Sequence, residues 1–237
     1  NNPVLKYVSI VLILSAIVIG NAAYEAGNIS GGVLGLETVF GVQNLNIATC
    51  NFNIFSVLIG LVAFLLLFIG NYKFLERVLV SLVILMSGAF LLTAIMTRPD
   101  LVEIAEGLLL PEVADNSILT IIGLIGTTVV PYNLFLHSSL VKEKWKSKTD
   151  LGHARKDTFI AVVLGGVVSM SIIISATAIN VEEINNVADL ALGLEPLFGR
   201  FSKYFLALGL FAAGITSAIT APLAAAFVAC GCLGWST

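Results

Sequence analysis

The chain has 237 residues, of which 58% are hydrophobic and 11% charged, and its formal net charge is −3. A soluble domain carries about 25% charged residues, so a water-soluble globular fold is excluded and an all-α integral membrane protein in a lipid bilayer is expected. Three cysteines, Cys50, Cys230 and Cys232, lack zinc-finger spacing, and no signal-peptide cleavage pattern accompanies the first apolar run.

A helix that crosses the bilayer needs about 20 mainly apolar residues, and six stretches qualify. The first, roughly 5–36, is long and carries "GNAAYEAGNISGGVLGLE" toward its end. Glu25 is a carboxylate well inside this span. An ionisable group at that depth is costly, which marks Glu25 as a functional candidate facing the bundle interior. Asn28, three residues on, shares its helical face. The competing reading makes Glu25 a hydrogen-bond acceptor between helices, or a group wetted at the outer interface. Gly27, Gly31, Gly32 and Gly35 point to close helix packing rather than to ligand binding.

Spans at 53–71 and 75–97 follow. After them, "RPDLVEIAEGLLLPEVAD" has apolar residues at helical spacing and is expected to form a short amphipathic helix on the outer face. The fourth span, 117–141, contains "IIGLIGTTVVPYNLFLHSSLV". Pro131 has no N–H, so the Thr127 carbonyl, four residues earlier, loses its donor. In lipid that oxygen must find another partner or line a cavity. Gly123 and Gly126 ease unwinding, and Thr127 and Thr128 offer hydroxyls. A freed backbone oxygen among hydroxyls is the local chemistry of a site for a hard cation. A plain proline kink explains the residues equally well. Past the break near 127–131, Tyr132, Asn133 and His137 belong to a resumed helix leading to the cytoplasm.

The loop 142–157, "KEKWKSKTDLGHARKD", holds six of the twelve Lys and Arg and is therefore cytoplasmic. Counting back, Lys73 and Arg77 beside the link 71–74 also lie inside, as does Lys6. Spans at 158–181 and 204–235 complete the set. The outer loops 98–116 and 182–203 carry Asp100, Glu103, Glu106, Glu112, Asp115, Glu182, Glu183, Asp189 and Glu195. They read as solvated surface, although an acidic entrance also attracts cations. In the last span, "GLFAAGITSAITAPLAAAF", Pro222 is expected to break the helix. Thr216, Ser217 and Thr220 are expected to bond their own backbone, and Cys230 and Cys232 to act as small buried hydrophobes. The abrupt start and stop suggest an internal fragment of a longer protein, incomplete at both ends.

Three of these stretches resemble one known family. "GTTVVPYNLFLHSSLV" is similar to the sixth helix of the Nramp divalent-metal transporters, whose pattern runs Gly-Ala-Thr-Val-Met-Pro-His-Asn-Leu-Tyr-Leu-His-Ser. "YEAGNISGG" resembles their third helix and "LFAAGITSAITAPLAA" their eighth, so the chain would cover helices three to eight. The resemblance implies a LeuT-type inverted-repeat bundle with a midplane metal site. It places Thr127 where an alanine carbonyl binds metal and Val130 where a methionine sulfur does. Valine cannot ligate, and loss of the thioether leaves oxygen ligands that suit Mg²⁺, Ca²⁺ and Mn²⁺. The family's proton-route aspartate aligns with Ala22, its glutamate with Glu25, its first histidine with Tyr132 and its second with His137. Those losses resemble the Nramp-related magnesium transporters. The family's Asp-Pro-Gly motif does not occur in this chain.

The resulting expectation is a transporter for Mg²⁺ or Mn²⁺, uncoupled from protons, in a bacterial inner membrane. The alternatives are a proton-coupled Mn²⁺ or Fe²⁺ importer, an organic-solute symporter on the same fold, and a non-transporting Nramp-like receptor or scaffold. Enzymatic activity, a resident cofactor and a nucleic-acid partner are not expected. No zinc-protease motif occurs, and no serine or aspartate pair is placed for catalysis.

Overall fold

The structure is a computed structural model describing residues 3–47, 50–70, 73–110, 117–128, 130, 134, 137–138, 141, 144–145, 147–177 and 187–235. In chain order the elements are α1 (Pro3–Phe40), β1 (Asn44–Ile47), β2 (Cys50–Asn53), α2 (Ile54–Ile69) and α3 (Lys73–Met96). Then come α4 (Leu101–Leu109), α5 (Ile118–Thr128), α6 (Leu151–Thr177), α7 (Val187–Leu192), α8 (Glu195–Phe198) and α9 (Ser202–Leu233).

Four helical segments among the described residues are long and apolar enough to cross a membrane: Val4–Phe40, Lys73–Met96, Leu151–Thr177 and Glu195–Leu233. Of the stretch 53–71, Ile54–Ile69 forms α2, about 24 Å long at 1.5 Å per residue. Of the stretch 117–141, Ile118–Thr128 forms α5, and Leu134, His137, Ser138 and Val141 beyond it are helical. The start of α2 is set locally. Its first turn abuts a two-stranded antiparallel hairpin in the outer link, with Asn44 opposite Asn53 and Ile47 opposite Cys50. Asn53 ends the hairpin and starts the helix. Its side-chain oxygen accepts from the amides of Phe55 and Ser56 at 3.0 and 3.3 Å, as an N-cap does. Its amide donates to Glu37 Oε1 at 2.6 Å, fastening the hairpin to the end of α1. Gly70, at φ +68°, closes α2 with a left-handed cap donating to the Leu66 carbonyl.

Core formation centres on α1 and α9, which run antiparallel. Gly32 and Gly35 meet Gly214 and Ala207 there. A Cβ added to Gly214 would lie 2.6 Å from the Gly32 Cα, and one on Gly35 2.5 Å from the Ala207 carbonyl. Gly32, Gly35 and Gly214 thus let two backbones touch. Gly27 and Gly31 meet nothing within 4 Å among the described residues, so the packing reading holds for half of that glycine run. A larger cluster of Val33, Ile59, Ala63, Leu79, Ala212, Ile215 and Ile219 joins α2 and α3 to this pair. On the outer side Ala89, Phe90, Ala191, Leu194 and Leu206 form a third cluster. Ser175 of α6 donates to the carbonyls of Phe90 and Ser171 at 3.2 and 2.8 Å, tying α6 to α3.

Three expectations are corrected. Pro222 does not break its helix: α9 runs unbroken from Ser202 to Leu233. Small neighbours (Ala218, Ala221 and Ala224, all fully buried) leave room for the ring, and the Asn21 amide of α1 donates to the Ala221 carbonyl at 2.6 Å. Neighbouring helices that re-satisfy backbone groups are what make a membrane proline tolerable. Residues 187–203 are not merely solvated surface, while Glu182 and Glu183 lie outside the described residues, as do Glu112 and Asp115. Glu195 is exposed, yet α7 and the turn after it bury Ala191 and Leu194 against α3 and α9. The basic segment 142–157 is partly helix, since α6 starts at Leu151. Lys144 there pairs with Asp157 at 3.3 Å, and the Trp145 ring stacks on His153. Hydropathy marked where apolar sequence begins, whereas a helix begins at its cap.

The amphipathic outer helix forms as α4, capped by Asp100, whose side chain accepts from the Val102 amide at 2.8 Å. Thr216 and Thr220 bond carbonyls of their own helix, at Ala212, Ala213 and Thr216. Cys230 and Cys232 are free thiols and half-buried.

Candidate functional site

The site is built from one face of α1, the end of α5 and the middle of α9. Residues 21, 24, 25 and 28 follow the i, i+3, i+4, i+7 spacing of a single helical face. In α1 they are Asn21, Tyr24, Glu25 and Asn28. Asn21 is 8% exposed and reaches α9 through the Ala221 carbonyl. The Tyr24 hydroxyl donates to the Gly126 carbonyl of α5 at 2.6 Å. Asn28 offers its own backbone carbonyl side to Gly214. Glu25 and Asn28 lie beside each other, half-buried. The buried Glu25 Oε2 and Asn28 Nδ2 have no hydrogen-bond partner among the described residues. Buried polar atoms are satisfied in the great majority of cases, so this pair is a candidate position for a polar ligand.

α5 ends at Thr128, three residues before Pro131. Thr127 is its penultimate residue and Gly126 precedes it. The hydroxyls of Thr127 and Thr128 both donate to the Leu124 carbonyl, at 2.9 and 2.8 Å. Their protons are thereby turned back along the helix, and their oxygens keep lone pairs free. Val130 is 3% exposed and packs with Ile17, Ala221, Ala224 and Val228 in an apolar cluster that also touches Tyr24. Pro131, Tyr132 and Asn133 lie outside the described residues. Leu134, His137, Ser138, Val141 and Lys144 are helical.

His137 is exposed, with Nε2 3.0 Å from the Thr158 hydroxyl of α6. That hydroxyl also donates to the Ala154 carbonyl at 3.0 Å. Among the described residues no three His, Cys, Asp or Glu side chains gather into a chelating group. Sequence reasoning singled out Glu25 and Asn28 but passed over Tyr24 and Asn21. The signal was present in the spacing, since four polar side chains on one face of an apolar helix are a stripe.

Four long apolar helical segments, with the short helix α5 ending beside the polar stripe of α1, define a helical, multi-pass integral membrane protein. The chain belongs to the Nramp family: the family pattern, natural resistance-associated macrophage protein-like, matches residues 2–237. It is 29% identical over 211 residues to the divalent metal cation transporter MntH of Yersinia pestis (strain Pestoides F), covering 85% of this chain and 50% of that protein. The MntH proteins of Yersinia enterocolitica and Erwinia tasmaniensis are 28% and 27% identical over a similar range. The chain spans about half the length of the curated relatives it matches.

Proposed function

We propose that the protein is a membrane transporter for divalent metal cations, Mg²⁺ or Mn²⁺, which it carries without coupling to protons. The observation that carries this reading is the end of α5 at Thr128, ahead of Pro131 and beside the polar face of α1. On this reading the Thr127 carbonyl binds the cation. Val130 supplies no ligand, and the cation keeps waters that a thioether would otherwise displace. The fold is of the LeuT type, a single transmembrane unit of a bacterial plasma membrane. A dication moving inward gains about 4.6 kcal/mol per 100 mV, twice the value for one charge. That gain drives uptake without protons. The similarity to divalent metal cation transporters supports the cargo class.

The test uses the full-length protein in liposomes with a trapped Mg²⁺ indicator. Mg²⁺ influx that Mn²⁺ blocks competitively is the expected result. A folded protein that carries Mn²⁺ and not Mg²⁺ would overturn the hard-cation reading. One observation favours a second reading, a proton-coupled Mn²⁺ or Fe²⁺ importer: Glu25 keeps a buried oxygen without a partner among the described residues. Internal acidification that tracks metal entry, and disappears in Glu25→Gln, is the result that selects it.

A further inference from the structure

We propose that Tyr24 is a positioning residue for the cation site, holding the end of α5 through the Gly126 carbonyl. The inference rests on the transport reading above and deepens it. Three observations carry it. First, α5 buries none of its own side chains, so packing among the described residues does not fix it in place. Second, the Tyr24 hydroxyl, 2.6 Å from the Gly126 oxygen, joins the end of α5 to α1. Third, Tyr24 is itself held, because its ring packs on the cluster of Ile17, Ala221 and Val130, and one turn earlier Asn21 is bonded to Ala221 of α9.

The chemistry follows from the rigidity of the peptide unit. The Gly126 oxygen belongs to the planar group joining residues 126 and 127. Fixing that oxygen fixes the plane, and only the two soft dihedrals of Thr127 separate the plane from the Thr127 carbonyl. A Cβ on Gly126 would meet nothing within 4 Å among the described residues, so packing does not explain the glycine there. A flexible backbone does, and a flexible backbone beside a proline needs an external hold. Tyr24 supplies it from α1, while Asn21 holds the carbonyl next to Pro222 from the same face. Two proline-adjacent segments on different helices are therefore referenced to one rigid helix. The cation meets a carbonyl already oriented, and its apparent affinity rises in proportion to the binding-competent fraction of the protein.

The experiment is Tyr24→Phe in the full-length protein, which keeps the ring packing and removes only the hydroxyl. Mg²⁺ and Mn²⁺ uptake into liposomes is measured against concentration, with hydrogen exchange over residues 118–130 in cation-free protein as a second readout. The expected result is a KM raised about five-fold, the equivalent of one neutral hydrogen bond. The maximal rate should hold within about two-fold of wild type, and exchange in the segment should quicken. An unchanged KM overturns the proposal. So does a fall in maximal rate with KM intact, which a merely structural role produces. If the unsubstituted protein carries neither cation, the transport reading fails by itself. Exchange then decides the tether: quickened exchange upholds it, and unchanged exchange overturns it.

Discussion

The resemblance to the Nramp sixth helix sets Val130 against a methionine of that family, and the Val130 side chain is buried against Ile17, Ala221, Ala224 and Val228. Methionine is longer and more polarizable, and its sulfur favours softer transition metals. Val130→Met is therefore expected to raise Mn²⁺ or Cd²⁺ affinity relative to Mg²⁺. Competition in the liposome assay checks this, and an unmoved ratio would mean that position 130 does not face the ion. The tight apolar surroundings add a cost, since inserting methylenes into a packed cluster destabilises by about 1–3 kcal/mol. The selectivity ratio is the informative quantity because destabilisation acts on both cations alike. At this scale the sequence marks candidates by cost. Glu25 stood out through burial cost and Thr127 through the proline four residues on. Tyr24 did not, because a tyrosine in an apolar helix looks like packing until its hydroxyl is seen to have a destination on another helix.

The elements show where periodicity stops informing. Apolar length located α1, α3, α6 and α9 well, since a helix in lipid must be apolar along its length. It gave no sign of the hairpin of Asn44–Ile47 and Cys50–Asn53 ahead of α2, whose strands are too short to register by alternation. It misjudged α9 at Pro222, because the compensating hydrogen bond comes from Asn21, far away in sequence. The glycines divide by what faces them, which a single helix cannot reveal. Gly214→Val is expected to destabilise the protein by about 1–3 kcal/mol by forcing α1 and α9 apart. Gly27→Ala, with open space around its added methyl, is expected to stabilise α1 by about 0.5–1 kcal/mol. Thermal unfolding in detergent distinguishes the two, and equal effects would show that the Gly32–Gly214 contact does not hold the pair together.

For the whole molecule, the charge pattern makes a prediction about orientation. The basic residues Lys144, Arg155 and Lys156 sit at one end of α6, and Asp100, Glu103 and Glu106 lie on or just before α4 after the outer end of α3. In a background where Cys50, Cys230 and Cys232 are replaced, Glu103→Cys should react with an impermeant maleimide added outside intact cells. Arg155→Cys should react only after permeabilisation. Both side chains are exposed, so labelling of position 155 in intact cells would invert the topology.

The length of α1 gives these contacts a mechanical meaning. Near its C-terminal end Glu37 bonds the hairpin through Asn53, and partway along Tyr24 bonds the end of α5. Between the two contacts lies about 20 Å of continuous helix. The hairpin and the Gly126 carbonyl are thus anchored to one and the same rod.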